Sequence, residues 1–342
     1  MEAMRFGLIG YGLWGRHHAT AIAKAPGSEL AAIACASEAT AATARQTFPN
    51  VPVLIGYEHL LARPDIDAVV ISVPNHLHAE IGTAALAAGK DVLLEKPMAT
   101  TLEDCDRLIS AARASGRVLS IGHELRLSAQ YGRVKELIDT GEIGTPRYLS
   151  FSLFRFPFRP GSGGWRYDAA RVGSWLLEEP VHFFDFTMWY FASLGDPLSV
   201  QAVGAPRSGE AGMSSELTVI LRFAGSAHAV ITETLAGFEY HQLLHVVGAE
   251  GSIRSWWSGA LDRTREARFD LRLTRRNNRE PETIPVAASG ELVELEEQAR
   301  RIVPAFQRRE PLVSGEESKK RVAVCLAAER SLRENREIPL TF

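Results

Sequence analysis

Between residues 4 and 123 the chain repeats one pattern, a short and continuously apolar run followed by a segment of helical length. The runs are MRFGLIG (4–10), LAAIACA (30–36), DAVVISVP (67–74), DVLLEKP (91–97) and RVLSIGH (117–123). Between them lie LWGRHHATAIAKA (13–25), SEATAATARQTF (37–48), HLHAEIGTAALAAG (76–89) and TLEDCDRLISAARASG (101–116). Runs that are apolar at nearly every position, instead of at alternate ones, suit strands covered by helices on both faces. A repeating β-α order needs right-handed crossovers, so the first third is expected to form a Rossmann-type, doubly wound parallel α/β sheet.

After about residue 125 the pattern changes. A helix is expected over SAQYGRVKELIDTGEI (128–143), then a strand in PRYLSFSLFRF with one wet face, and a Gly/Pro/aromatic loop, FPFRPGSGGWRYD (156–168). A helical stretch near 174–192 precedes the alternating runs LSVQAVGA, SELTVILRFA, AHAVITETLA, QLLHVVGAEGSIRSWW and ARFDLRLTR, and helices are expected at 290–309 and 315–334. Consecutive strands with short turns predict an α+β domain with a large open, mostly antiparallel sheet. A chain of 342 residues exceeds the usual size of one core. The expected division is a Rossmann-type domain over 1–124 and an α+β domain over 125–342.

The formal net charge is -3, and no basic stripe of the kind that grips nucleic acid is visible. The arginine-rich stretch 263–280 is interrupted by acids and alternates like exposed strands, so it reads as a solvated face. Cys35, Cys105 and Cys325 are odd in number and far apart, which suggests a reducing compartment and neither a disulfide framework nor a zinc knuckle. Nothing resembles a signal peptide, and no apolar run approaches the roughly 20 residues that cross a bilayer. The expectation is a cytoplasmic protein with no nucleic-acid or membrane partner.

Gly10-Tyr11-Gly12-Leu13-Trp14-Gly15 matches G-x-G-x-x-G and sits where a strand gives way to a helix. There the first glycine allows a tight turn, the second lets backbone approach a pyrophosphate, and the third lets helix and strand pack closely. Amides at the helix start, Leu13 and Trp14 included, would face the anion. The second strand ends in Ala34-Cys35-Ala36-Ser37-Glu38, without the acid that often bonds the ribose of NAD, and without an arginine directly after it for NADP. Ser37 could bond a ribose hydroxyl or a phosphate, and Glu38 could simply start a helix. NAD and NADP both stay open.

Two more stretches lie at C-terminal strand ends, where open α/β sheets bind ligands: Ser72-Val73-Pro74-Asn75-His76-Leu77-His78 and Leu94-Glu95-Lys96-Pro97. With the glycine loop, and with GRVKELIDTGEIGTPRYL (132–149) and GSWLLEEPVHFFDF (173–186), the chain resembles the glucose–fructose oxidoreductase / inositol dehydrogenase (Gfo/Idh/MocA) family of NAD(P)-dependent oxidoreductases. The resemblance covers essentially the whole chain. It implies hydride transfer between a nicotinamide and a hydroxyl or carbonyl carbon of a sugar, inositol or related polyol, in a homodimer or homotetramer.

The resemblance places Lys96 beside nicotinamide and substrate, with Glu95 and Pro97 shaping its turn, and Pro74, Asn75 and His78 near the cofactor. A lysine suits the task because its ammonium stabilises an oxygen on which charge develops, and desolvation moves its pKa toward neutrality. The family's Asp-x-x-x-His pair corresponds to Glu178 and His182, with glutamate for aspartate and Pro180 where glycine is usual. If the stretch is helical, the spacing puts both on one side, and His182 would relay the hydroxyl proton. Glu179 competes for the carboxylate role, while Asp185 reads as structural support. Arg126, Arg155, Trp165, Arg166 and Tyr167 are candidates for a polyol pocket. No metal site is expected: His76/His78 and His182/Asp185 make no ligand set, and His123-Glu124 lacks the second histidine of H-E-x-x-H. Two rival functions keep the fold. One is a lyase or glycoside hydrolase using transient oxidation; the other is a non-catalytic dinucleotide sensor.

Overall fold

The computed structural model describes residues 3–206, 213–235, 237, 239–260 and 263–342. Ala236, which ends the AHAVITETLA run, and the side chain of Arg279 in the arginine-rich stretch lie outside the described residues.

The first sheet is built from β1 (Met4–Ile9), β2 (Ser28–Cys35), β3 (Val53–Ile55), β4 (Ala68–Ile71), β5 (Asp91–Glu95) and β6 (Leu119–Gly122). Its order is β3-β2-β1-β4-β5-β6 and every pairing is parallel. The crossovers carry α1 (Leu13–Lys24), α2 (Glu38–Thr47), α3 (Tyr57–Leu61), α4 (His78–Ala87) and α5 (Leu102–Ser115). β4 and β5 are buried at every position, apolar throughout in β4 and across Val92–Leu94 in β5. The order reverses between β1 and β4, and ligands bind open α/β sheets at such a switch point. The three-residue β3 and the five-residue α3 go beyond the sequence reading; both are too short to show a period.

The second sheet has nine strands in the order β14-β13-β12-β11-β7-β10-β9-β8-β15. They are β7 (Pro146–Phe154), β8 (Ser199–Pro206), β9 (Ser214–Arg222), β10 (His228–Thr234), β11 (Tyr240–Gly248), β12 (Gly251–Gly259), β13 (Arg268–Arg275), β14 (Asn278–Thr283) and β15 (Ile338–Pro339). All its pairings are antiparallel except β7 with β10. β9 alternates strictly between buried and wetter positions, as expected of a sheet with one covered face. The same unit contains α6 (Tyr131–Asp139), α8 (Trp175–Glu178) and α9 (Pro180–Tyr190).

The two compact units are not two consecutive stretches, so a cut into 1–124 and 125–342 needs correcting. The first unit comprises Met1–His123, Ala170–Gly173 and Leu295–Val322, and the second takes the remainder. Short α7 (Ala169–Val172) lies across one break, and α10 (Glu291–Gln307) and α11 (Gly315–Glu334) across others. The reason is the apolar stripe of α10. Leu295, Ala299, Ile302, Val303 and Phe306 recur at helical spacing and join the core around Phe6, Leu8 and Ile22. The Phe306 ring stacks on Phe6 with centroids 6.3 Å apart.

At the start of α10, Glu294 is almost wholly buried, and its two carboxylate oxygens each accept from the Gly290 N–H at 3.0 Å. Burial pushes this carboxyl up to about 7, against the opposing pull of hydrogen bonds from Gly290, Ser128 and Ser289.

Two outcomes follow from this packing. Phe306→Ala should cost about 3–5 kcal/mol in urea unfolding, and a loss below about 1 kcal/mol would place α10 outside that core. Glu294 has a folded pKa above its unfolded value of 4.5, so the native state holds a proton that the unfolded state releases. Stability should therefore fall as pH rises from 4.5 to about 7, by on the order of 3 kcal/mol. Urea midpoints across that range should show a smaller decline in Glu294→Gln, and an unchanged decline would assign the effect elsewhere.

Candidate active site

The glycine loop joins β1 to α1. Gly10 has φ +95°, a left-handed conformation, and a Cβ there would lie 2.2 Å from the Ser72 carbonyl oxygen. At Gly15 a Cβ would lie 2.0 Å from the Gly10 carbonyl oxygen, so only glycine lets α1 start this close to the strand. Gly12 caps α1 and differs from both: nothing lies within 4 Å of the position a Cβ would take. The space above its backbone is open, and the first turn of α1 carries no acid. An anion fits there and a side chain would fill the place, so the residues present suit a dinucleotide pyrophosphate. Leu13 is exposed and Trp14 partly buried in that first turn.

Ser37 has a local task. Its Oγ accepts from the Thr40 N–H at 3.3 Å and caps α2, while Glu38 opens the helix and pairs with Arg45 two turns on. The Glu38–Arg45 hydrogen bond holds the Glu38 carboxyl below its usual range.

At the next strand ends, Pro74 precedes a 3-10 turn over Asn75–Leu77. Buried Asn75 donates its Nδ2 hydrogen to the Val172 carbonyl at 3.1 Å. His78 is 1% exposed, with Nδ1 2.6 Å from the Pro97 carbonyl oxygen and Nε2 2.9 Å from the Val73 carbonyl oxygen. Glu95 is buried, and one carboxylate oxygen is 2.5 Å from His18 Nε2. Burial pushes the Glu95 carboxyl up, but hydrogen bonding and charge from His18, the Lys96 charge and Trp14 together hold it below its usual range. Lys96 follows, half-buried, before a cis peptide to Pro97. His18 was missed in the sequence. Its signal was its place on α1, one turn beyond the glycine loop.

In the second unit, Glu178 to Asp185 form a run of matched charges. Glu178 accepts from Arg166 Nε at 2.5 Å, Glu179 from Arg155 Nη1 at 2.6 Å, and Asp185 from Arg126 Nε and Nη2 at 2.7 and 2.6 Å. The stretch is not one helix, so the same-side argument for Glu178 and His182 does not hold. Helix α8 ends at Glu178, Glu179 has φ -127°, and Pro180 takes the first position of α9. Proline has no N–H to continue a helix and is pre-set to begin one.

The environments of the two glutamates differ. Arg155 is packed over the Phe158 and Tyr240 rings, and the Tyr240 hydroxyl donates to Glu179 at 3.1 Å. The Glu178 partner Arg166 lies over Trp165 and keeps 28% of its side chain exposed, against 11% for Arg155. Tyr167 donates to the Phe158 carbonyl, within its own loop. His182 is buried, with Nε2 3.9 Å from Glu124 Oε1, too far for a hydrogen bond but close for a charge. Glu124 was passed over in the sequence because only its metal motif was weighed.

A glycine-loop cradle at the strand ends of an all-parallel sheet defines a Rossmann-type dinucleotide-binding fold. Two family models fix the class further: residues 4–123 match "Oxidoreductase family, NAD-binding Rossmann fold", and residues 131–254 match the GFO/IDH/MocA C-terminal domain. The chain belongs to the Gfo/Idh/MocA oxidoreductase family. It is 33% identical to 1,5-anhydro-D-fructose reductase of Ensifer adhaerens over 73% of this chain and 74% of that one. It is 37% identical to the uncharacterized oxidoreductase YdgJ of Escherichia coli K12 over 54% of each chain, so that match spans about half the relative's length. Aldose-aldose oxidoreductase from Caulobacter crescentus, solved with glycerol, shares the fold with a TM-score of 0.86 at 23% identity, over 99% of this chain and 100% of that one. Among the described residues no helix is long and apolar enough to cross a membrane, and no three His, Cys, Asp or Glu side chains are grouped to hold a metal ion.

The Arg126–Asp185 pair is buried and bidentate, the geometry of a structural tie. Arg126→Ala should remove the bidentate partner of buried Asp185 and cost about 3–5 kcal/mol in chemical denaturation. A stable Arg126→Ala protein with only a raised KM would instead make this arginine a substrate group.

Proposed function

We propose that this protein is an NAD(P)-dependent dehydrogenase or reductase acting on a CH–OH or carbonyl group of an uncharged sugar, inositol or related polyol. The observation that carries the reading is the Lys96 turn, at the strand edge that also holds the glycine cradle, in a chain of this oxidoreductase family. A bound nicotinamide supplies the acceptor or donor for hydride. Gly10, Gly12 and Gly15, with the first amides of α1, hold the pyrophosphate. Lys96 donates a hydrogen bond to the substrate oxygen and stabilises the charge that grows there. His182 takes the hydroxyl proton in oxidation and returns it in reduction, with Glu124 Oε1 3.9 Å from its Nε2.

Glu178 is the carboxylate we assign to substrate hydroxyls. Its partner Arg166 is the more open of the two arginines, whereas Glu179 is tied to both Arg155 and Tyr240. The substrate class follows from charge. Each acid of the 178–185 run accepts from an arginine, so these charges are balanced against one another. Neutral hydroxyls fit it better, in keeping with the sugar named for the Ensifer adhaerens relative. The open sheet also leaves Val203 and Leu243 exposed, and we assign its outer face to contact with another copy of the chain.

Thermal shift with NAD and NADP separately should reveal the preferred dinucleotide, because ligand binding to the folded state raises Tm. A panel of neutral polyols, sugar phosphates and uronates then follows at 340 nm. Turnover is expected with neutral compounds only, and preference for a phosphorylated sugar would overturn the charge argument. Lys96→Ala should lower kcat by at least about 100-fold while dinucleotide affinity stays within a few-fold. Substrate conversion without net absorbance change would indicate the transient-oxidation chemistry instead.

A further inference from the structure

Lys96 stands between two residues that are both held by buried histidines. On its N-terminal side, the Glu95 carboxylate meets His18 Nε2 at 2.5 Å, with His18 only 2% exposed. On its C-terminal side, the Pro97 carbonyl oxygen lies 2.6 Å from His78 Nδ1. The other ring nitrogen of His78 lies 2.9 Å from the Val73 carbonyl oxygen, just before Pro74 and Asn75. Carbonyl oxygens only accept, so the ring satisfies both when both nitrogens carry protons. With both nitrogens turned to backbone carbonyls, His78 has neither left to address a dinucleotide. The family resemblance places His78 near the cofactor.

We infer that His78 is a positioning residue for Lys96: it ties the turn after β5 to the turn after β4, while His18 anchors the other flank of the same lysine to α1. The inference rests on the role of Lys96 proposed above. Its geometric content is the hold on the turn, which exists whether or not Lys96 proves catalytic. A lysine aimed at one substrate oxygen must be held to a fraction of an ångström, and its flexible four-carbon stem cannot do this alone. Fixing the peptides on either side removes the backbone part of that freedom. Because His78 also grips Val73, movement at the Pro74–Asn75 turn is passed to the Lys96 turn through one ring.

Two substitutions separate this role from a cofactor contact. In His78→Asn the amide nitrogen takes the approximate place of Nδ1 and keeps the Pro97 tie. In His78→Gln it takes that of Nε2 and keeps only the Val73 tie. The full-length protein is reductively ¹³C-methylated, and the Lys96 resonance is identified by its loss in Lys96→Ala. With NAD or NADP bound, His78→Gln should shift or broaden that resonance while His78→Asn leaves it close to wild type. Dinucleotide Kd should stay within about threefold in both, and thermal unfolding confirms that each is folded. If a candidate polyol supports turnover, His78→Gln should lose kcat at least tenfold more than His78→Asn, with little change in KM.

An unchanged Lys96 resonance in His78→Gln would overturn the inference. So would a tenfold weaker Kd with that resonance intact, which would make His78 a dinucleotide contact. His78→Gln failing to fold leaves a measurement on the wild type: ¹⁵N shifts of the His78 ring should show both nitrogens protonated, and a neutral ring would overturn the two-carbonyl tie. Turnover surviving in Lys96→Ala would defeat the role given to Lys96 but not the resonance result, so the two failures are distinct.

Discussion

The first unit depends on the contact at Gly15. Without a side chain there, α1 begins directly over the Gly10 carbonyl, and a methyl group would meet that oxygen at 2.0 Å. This places the first amides of α1 around Gly12, where the space is open. It also sets where the next turn of α1 arrives. His18 lies on that turn and reaches Glu95 at the end of β5. A continuous set of contacts then leads through Lys96 and Pro97 to His78, and from there to Val73. The glycine loop therefore does more than admit a phosphate, because the same close packing positions the lysine turn two strands away.

The second unit solves a different problem, the burial of several ionised groups. Its candidate residues sit close together in sequence, and each acid from 178 to 185 is met by an arginine from elsewhere in the unit. A buried charge without a partner would be expensive, whereas a matched one is tolerable and fixes geometry. Pro180 adds a backbone constraint, because it ends one short helix and starts another between Glu178 and His182. Glu178 therefore ends one helix, and His182 lies in the first turn of the next.

Much of the fold was readable because its signals are local. Continuous apolar runs marked β1, β2, β4 and β5, and the glycine spacing marked the start of α1. What escaped was set by partners distant in sequence. β3 is three residues long and recognisable only by its pairing with Ile33, Ala34 and Cys35. The stripe of α10 announced a buried face, but nothing local said that the face belongs with Phe6. The site divides in the same way. Residue types and strand-end positions pointed to Lys96, His78 and His182. The partners Glu95–His18, His182–Glu124 and Asp185–Arg126 are separated by 77, 58 and 59 residues and needed three dimensions.

Ser37 illustrates how one residue can satisfy two readings in sequence and turn its hydroxyl to one neighbour in space, Thr40. Its hydroxyl is engaged by the Thr40 N–H, so the end of β2 offers a capped helix and the exposed Glu38–Arg45 pair where many dinucleotide folds offer one acid. A carboxylate repels a 2′-phosphate and a guanidinium attracts it, and here each charge is already hydrogen-bonded to the other. Neither acts with full strength on a ribose while the pair stays closed, and solvent screens what remains. With both charges held together, the end of β2 by itself favours neither NAD nor NADP.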